Sequence, residues 1–198
     1  MVLFLAAVVA TASATVSVFF YTNGSATVRT PDVQLVVGGD ISGSCTAYPC
    51  ASGSVSSTFD VMTATLSLFP ASTGASPVPA TYYSNFTEVK NTSPSAAHSI
   101  KSVQVLNIAG TTADLGSITI YYCTTQTEFT AAGALVTPAN CVGSFAITSS
   151  TLSGGSVSGT FPQSIASGAT QYIEIAAYAA SGASASSSVT FQIAVQWA

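Results

Sequence analysis

From residue 23 onward, apolar and polar positions alternate with a period of two. The pattern is clearest at the C-terminus, where Val189, Phe191, Ile193, Val195 and Trp197 alternate with Thr190, Gln192, Ala194 and Gln196. That spacing puts one row of side chains on each face of a strand and buries one of them. The same reading predicts strands at 33–37, 63–69, 82–89, 102–108, 117–123, 142–148, 157–161 and 171–178, all rich in β-branched and aromatic residues. Turn-forming stretches separate them: GGDISGS, PASTGASPVP, NTSPSAAHS, TLSGGS and ASGASASSS. Only 129–135 hints at a helix. Many short strands with Gly, Ser and Pro turns, and no second-domain boundary, imply one antiparallel all-β sandwich over residues 23–198.

The first 22 residues form a different unit. MVLFLAAVVATASATVSVFFY carries no charged group, and we expect it to be an assembly segment kept in the mature chain and buried in a neighbouring subunit. Read as a strand, it places Val16, Val18 and Phe20 on one face and Phe19 and Tyr21 on the other. Read as a helix it would be about 31 Å long, roughly a bilayer's hydrocarbon thickness, so a membrane could hold it before assembly. Its mix of Val and Thr leaves helix and strand both open. A secretory leader ending at Ala12-Ser13-Ala14 is a third reading, weakened by the lack of a basic flank.

Composition sharpens this picture. With 48% hydrophobic and 5% charged residues, the chain is far from the low-hydrophobicity, high-charge regime of disorder. Three cations (Arg29, Lys90, Lys101) and a formal charge of −4 cannot build the basic patch that nucleic acid requires. The surface must therefore be hydroxyl- and amide-rich, which is insensitive to pH and salt and suits an extracellular setting.

Four cysteines fall as two local pairs, Cys45 with Cys50 and Cys123 with Cys141. Three connectivities are open, and the sequential one is expected. A zinc site is disfavoured because there is no CxxC and the one histidine, His98, is remote in sequence. Sequons at Asn23, Asn85 and Asn91 are candidate N-glycosylation sites, with Pro94 directly after the third.

Catalytic groups are scarce. His98 stands alone, and the carboxylates Asp32, Asp40, Asp60, Glu88, Asp114, Glu128 and Glu174 are scattered. No HExxH, P-loop or dinucleotide fingerprint occurs. The expectation is a non-enzyme with no cofactor and no metal. Tyr82, Tyr83, Tyr121, Tyr122, Tyr172, Tyr178 and Trp197 could line a sugar-binding face, but they fit core packing better.

Three stretches, in order, resemble the TasA and camelysin family of biofilm fibre proteins, which includes bundling pilins of archaea. These are the entry FFYTNGSATVRTPDVQLVV, the strand–turn–strand FTEVKNTSPSAAHSIKSVQVLNI, and the end SSVTFQIAVQWA with Gln196 and Trp197 at the matching place. With the apolar N-terminus that runs into the first of them, they cover about a third of the chain. The chain differs from the family in its low charge and in its cysteines.

The resemblance implies a jelly-roll-like sandwich missing one strand, which the N-terminal strand of the next subunit fills. The leading functional expectation is a structural subunit of an extracellular, cell-surface filament that polymerises head to tail with identical subunits by donor-strand complementation. Val16, Val18, Phe19, Phe20 and Tyr21 make the joint, and neighbouring filaments or surfaces are further partners. The alternatives are a type IV pilin-like subunit with residues 1–22 helical in a central bundle, and a secreted carbohydrate-binding module.

Overall fold

The computed structural model describes residues 30–41, 50–74, 80–130, 132–148, 151, 156–184 and 187–198. The joint residues Val16, Val18, Phe19, Phe20 and Tyr21, the sequon at Asn23, and Cys45 lie outside the described residues. Ten strands follow in chain order: β1 Val33–Val37, β2 Cys50–Val55, β3 Val61–Ser67, β4 Ala80–Asn91, β5 His98–Gly110, β6 Leu115–Cys123, β7 Cys141–Thr148, β8 Ser156–Ile165, β9 Thr170–Ala179 and β10 Ser188–Trp197. Among the described residues there is no α-helix, only two single-turn 3-10 segments at Thr112–Asp114 and Pro138–Asn140.

The strands form two five-stranded antiparallel sheets packed face to face, ordered β1-β4-β9-β6-β7 and β2-β3-β10-β5-β8. Within them β3 to β10 trace the eight positions of a jelly roll, 3-10-5-8 facing 4-9-6-7. All eight are supplied by this chain. β1 adds beside β4 and β2 beside β3. The expectation of a jelly roll lacking one strand is thus corrected: the described chain fills every position, and a donated strand can only extend a sheet edge.

The alternation read from the sequence is the reason the sandwich closes. In β3, Met62, Ala64 and Leu66 are buried while the residues between them are half-buried, and Phe191 of β10 stacks on Phe86 of β4 across the core at 6.0 Å. Each such side chain contributes roughly 1.5–3 kcal/mol on burial. Several of the polar groups in the core are hydrogen-bonded, while the Tyr83 hydroxyl has no partner among the described residues. The Thr87 hydroxyl meets the Met62 sulfur at 2.8 Å. The Tyr122 hydroxyl donates to Gln171 Oε1 at 2.6 Å, and Gln171 Nε2 donates to the Ser164 carbonyl at 2.9 Å, tying the two sheets together.

Three elements depart from expectation. β2 was not expected at all, because CASGSV offers only Ala51 and Val55 as apolar signal. Pairing with β3 over six positions makes it a strand. β8 extends past the expected 157–161 through Pro162; it is an edge strand whose register with β5 shifts between Ile100 and Ser102, which is where a residue without N–H is tolerated. Instead of a helix at 129–135, Phe129 and Leu135 form an antiparallel bridge. Gly133 turns the chain there at φ +80°, and a side chain on it would collide with the Tyr82 ring.

Candidate functional site

A β-sandwich that assembles through strand addition must offer an open edge. The described sheets end in four edge strands, β1 and β2 on one flank, β7 and β8 on the other. On the first flank the Leu35 N–H of β1 donates to the carbonyl of Phe59 in the β2–β3 turn at 2.8 Å, so that turn already occupies part of the β1 edge. On the second flank, among the described residues, β7 pairs only with β6 and β8 only with β5.

The two edges on this flank differ. β8 carries Pro162, a residue that blunts an edge. β7, CVGSFAIT, has neither proline nor charge, and its Val142 is 44% exposed. Its inward row is Gly143, Phe145 and Ile147, and of these only Ile147 is fully buried. Phe145 lies 6.0 Å from Phe161 of β8, and Phe161 stacks on Tyr122 at 5.6 Å. These rings occupy the space left by two glycines: a Cβ at Gly143 would press on Phe161, and one at Gly159 on both Phe145 and Phe161. Phe145 and Val157 stay only partly covered. The flank between β7 and β8 is an apolar opening floored by aromatic rings.

The outer face of the β4-β9-β6 sheet is covered differently. The segment joining β6 to β7 folds across it and is clasped at its base by the Cys123–Cys141 disulfide, as expected. The expected Cys45–Cys50 bridge involves residue 45, outside the described residues. Phe129 of the segment stacks on Tyr82 at 5.1 Å and meets Tyr121 edge-on at 5.7 Å, while Tyr82 meets Tyr178 at 6.2 Å. The rings face one another. Tyr83 and Tyr122 sit in the core, and Trp197 packs edge-on against His98 at 4.6 Å. The tyrosines therefore do not make a single open row.

Beneath the segment, Glu174 is wholly buried. Its Oε1 accepts the Thr127 N–H at 2.7 Å, and its Oε2 has no partner among the described residues. Burial pushes its carboxyl up to about 7, helped by the charge of Asp40 and opposed by the Thr127 hydrogen bond. Sequence reading missed this group, since in TQYIEIAAY the alternation puts Glu174 on the face away from the core. Among the described residues, Cys123, Cys141 and Glu174 form the one group of His, Cys, Asp or Glu side chains close enough to share an ion. Both sulfurs are already consumed in the disulfide.

The other carboxylates are dispersed and locally engaged. Asp32 Oδ2 lies 3.1 Å from His98 Nε2, joining the start of β1 to the start of β5. Asp40 accepts from the Asn85 N–H at 2.9 Å, Asp60 from Ser56 at 2.8 Å, and Glu88 pairs with Lys90 at 2.8 Å. Asp114 accepts from the Ser187 hydroxyl and the Ser184 N–H, which hold it below the usual carboxylate range. Glu128 sits exposed on the β6–β7 segment.

The sequons are placed unequally. Asn91 is 2% exposed; its Nδ2 donates to the carbonyls of Ala96 and Ile165 at 2.8 and 3.0 Å, and its Oδ1 accepts from the Ser93 N–H. A glycan there replaces one of the two amide hydrogens, so one of these donations must be given up and the buried side chain displaced. Asn85 is half-buried in the β4 bulge, with Nδ2 3.4 Å from Glu88.

No protein-family model matches the chain, and no curated protein matches it either.

Proposed function

We propose that the chain is the structural subunit of an extracellular filament, joined by β-augmentation: residues 15–21 of one copy add as a sixth strand beside β7 of the next. The supporting observation is the β7 edge itself, uncharged and free of proline, beside an opening where Phe145 and Val157 are only part-covered. Such an edge invites pairing with another chain. The donor matches it chemically. Val16, Val18 and Phe20 alternate, so one row packs against the part-covered Phe145 and Val157 while main-chain hydrogen bonds form along β7.

Burying three such side chains contributes about 5–8 kcal/mol before ordering costs. Because the donating and accepting surfaces differ, the contact is heterologous and repeats into an open polymer. The resemblance to TasA and camelysin fibre proteins points the same way, although the chain is poorer in charge than they are, and identical subunits are the partners this reading requires. The test is negative-stain imaging of the purified protein and its Phe20→Asp variant. The wild type is expected to show filaments and the variant discrete particles, since a charge in the apolar opening costs far more than the contact gains. Discrete wild-type particles at all concentrations, or undiminished filaments in the variant, contradict the proposal.

A further inference from the structure

We infer that Cys123, Cys141 and Glu174 form a thiol–disulfide exchange site in which Glu174 is the proton donor to the departing Cys123 sulfur. The three groups meet on the outer face of the sheet. Cys123 ends β6 and Cys141 begins β7, 18 positions later. Glu174, on β9, stands opposite Tyr121 and is therefore the diagonal neighbour of Cys123. A carboxylate oxygen of Glu174 and both sulfurs all lie within 4.8 Å of one another.

Two asymmetries give the arrangement a direction. Cys123 is fully buried while Cys141 is part-exposed, so an incoming thiolate reaches the Cys141 sulfur. Among the described residues Glu174 has Oε1 bound to the Thr127 N–H and Oε2 without a partner, leaving one buried oxygen free to carry a proton. A buried thiolate without charge compensation is a poor leaving group, and a proton delivered as the bond breaks removes that cost.

The reductant is a dithiol. Its thiolate bonds to Cys141 Sγ, the S–S bond breaks, and the electron pair leaves on Cys123 Sγ. Glu174 gives that sulfur its proton and becomes a carboxylate. The second thiol of the reductant, losing its proton to solvent, attacks the mixed disulfide and releases the Cys141 thiolate, which takes a proton from solvent, as the Glu174 carboxylate then does. One dithiol is thereby oxidised to its disulfide and one protein disulfide becomes two sulfhydryl groups. In reverse, the Glu174 carboxylate takes the Cys123 proton as the bridge re-forms. Reduction unclasps the segment that carries Phe129 across the tyrosine face.

The carboxyl, raised to about 7 by burial, holds its proton in mildly acidic solution and loses it above neutrality. Among the described residues, the titratable and charged groups on that face are Asp40 acting through space, Tyr121 opposite it on β6, Tyr172 and Tyr178 on β9, Tyr82 and the Glu88–Lys90 pair on β4, and exposed Glu128 on the covering segment.

The test measures reduction of the native full-length protein by dithiothreitol from pH 5 to 9, following the Cys123 and Cys141 thiols by alkylation and peptide mass. The rate is expressed per reductant thiolate, so that the reductant's own titration cancels. In the wild type this constant is expected to fall on the order of tenfold between pH 6 and 8.5. Glu174→Gln should be flat and slow at every pH, and Glu174→Asp should restore part of the slope. With glutathione, a monothiol, the trapped mixed disulfide should sit on Cys141. Parallel profiles in wild type and Glu174→Gln, a flat wild-type profile, or a mixed disulfide on Cys123 would each overturn the inference. The wild-type profile and the trapped adduct decide it even where a variant does not fold.

Discussion

At the scale of single residues, Glu174 is the clearest case of a role decided by tertiary structure. Its outward position on β9 was legible from the alternation, but its burial was not, because the segment that covers it comes from a different part of the chain. The consequence for stability has a definite sign. The folded carboxyl holds its proton up to about pH 7, whereas the unfolded group releases it near 4.5. Between those values the unfolded chain binds fewer protons, so stability falls as pH rises through the window, and the loss is complete above it.

A shift of this size corresponds to about 3 kcal/mol. Chemical denaturation at pH 5 and pH 8 should show the wild type losing stability of that order on going to the higher pH. Glu174→Gln should lose much less, and equal losses in both proteins would contradict this account. Asn91 teaches the complementary lesson. Its sequon was visible in the sequence, but the two carbonyls and one N–H that its side chain satisfies were not.

Among the elements, nine of the ten strands were anticipated from the period of two, since a half-buried strand writes its faces directly into the order of residues. The misses have physical causes. β2 has small residues where a strand signal needs bulk, and 129–135 has the composition of a helix but lies folded over a sheet, closed by a left-handed glycine. The clasp on that segment was anticipated from the local spacing of Cys123 and Cys141. By the loop-entropy model, a bridge between residues 18 apart stabilises the fold by about 3 kcal/mol. The Cys123→Ser, Cys141→Ser double variant should lose roughly that much in equilibrium unfolding. The Phe129–Tyr82 contact should loosen with it, observable in ring-current-shifted tyrosine resonances. Unchanged stability would show that the β6–β7 ladder and the ring contacts hold the segment without the bridge.

For the whole molecule, the all-β sandwich class was legible and the strand order was not. Alternation says which face of a strand is buried, not which strand lies beside it. The jelly-roll order, complete within the described chain, moves the expected joint from a vacant strand position to the β7 edge. The head should then fold without the donor and bind it as a separate ligand, with a gain set by mass action. The decisive measurement is thermal unfolding of the chain beginning at Asn23, with and without the peptide ATVSVFFYTN. The account predicts a cooperative transition for the head alone, raised by about 5–10 °C when the peptide is present at a hundredfold excess over its dissociation constant. The same peptide carrying the Phe20→Asp change should leave the transition where it was. An unchanged melting temperature with the unaltered peptide at every concentration would contradict strand addition and favour a helical N-terminus packed in a central bundle.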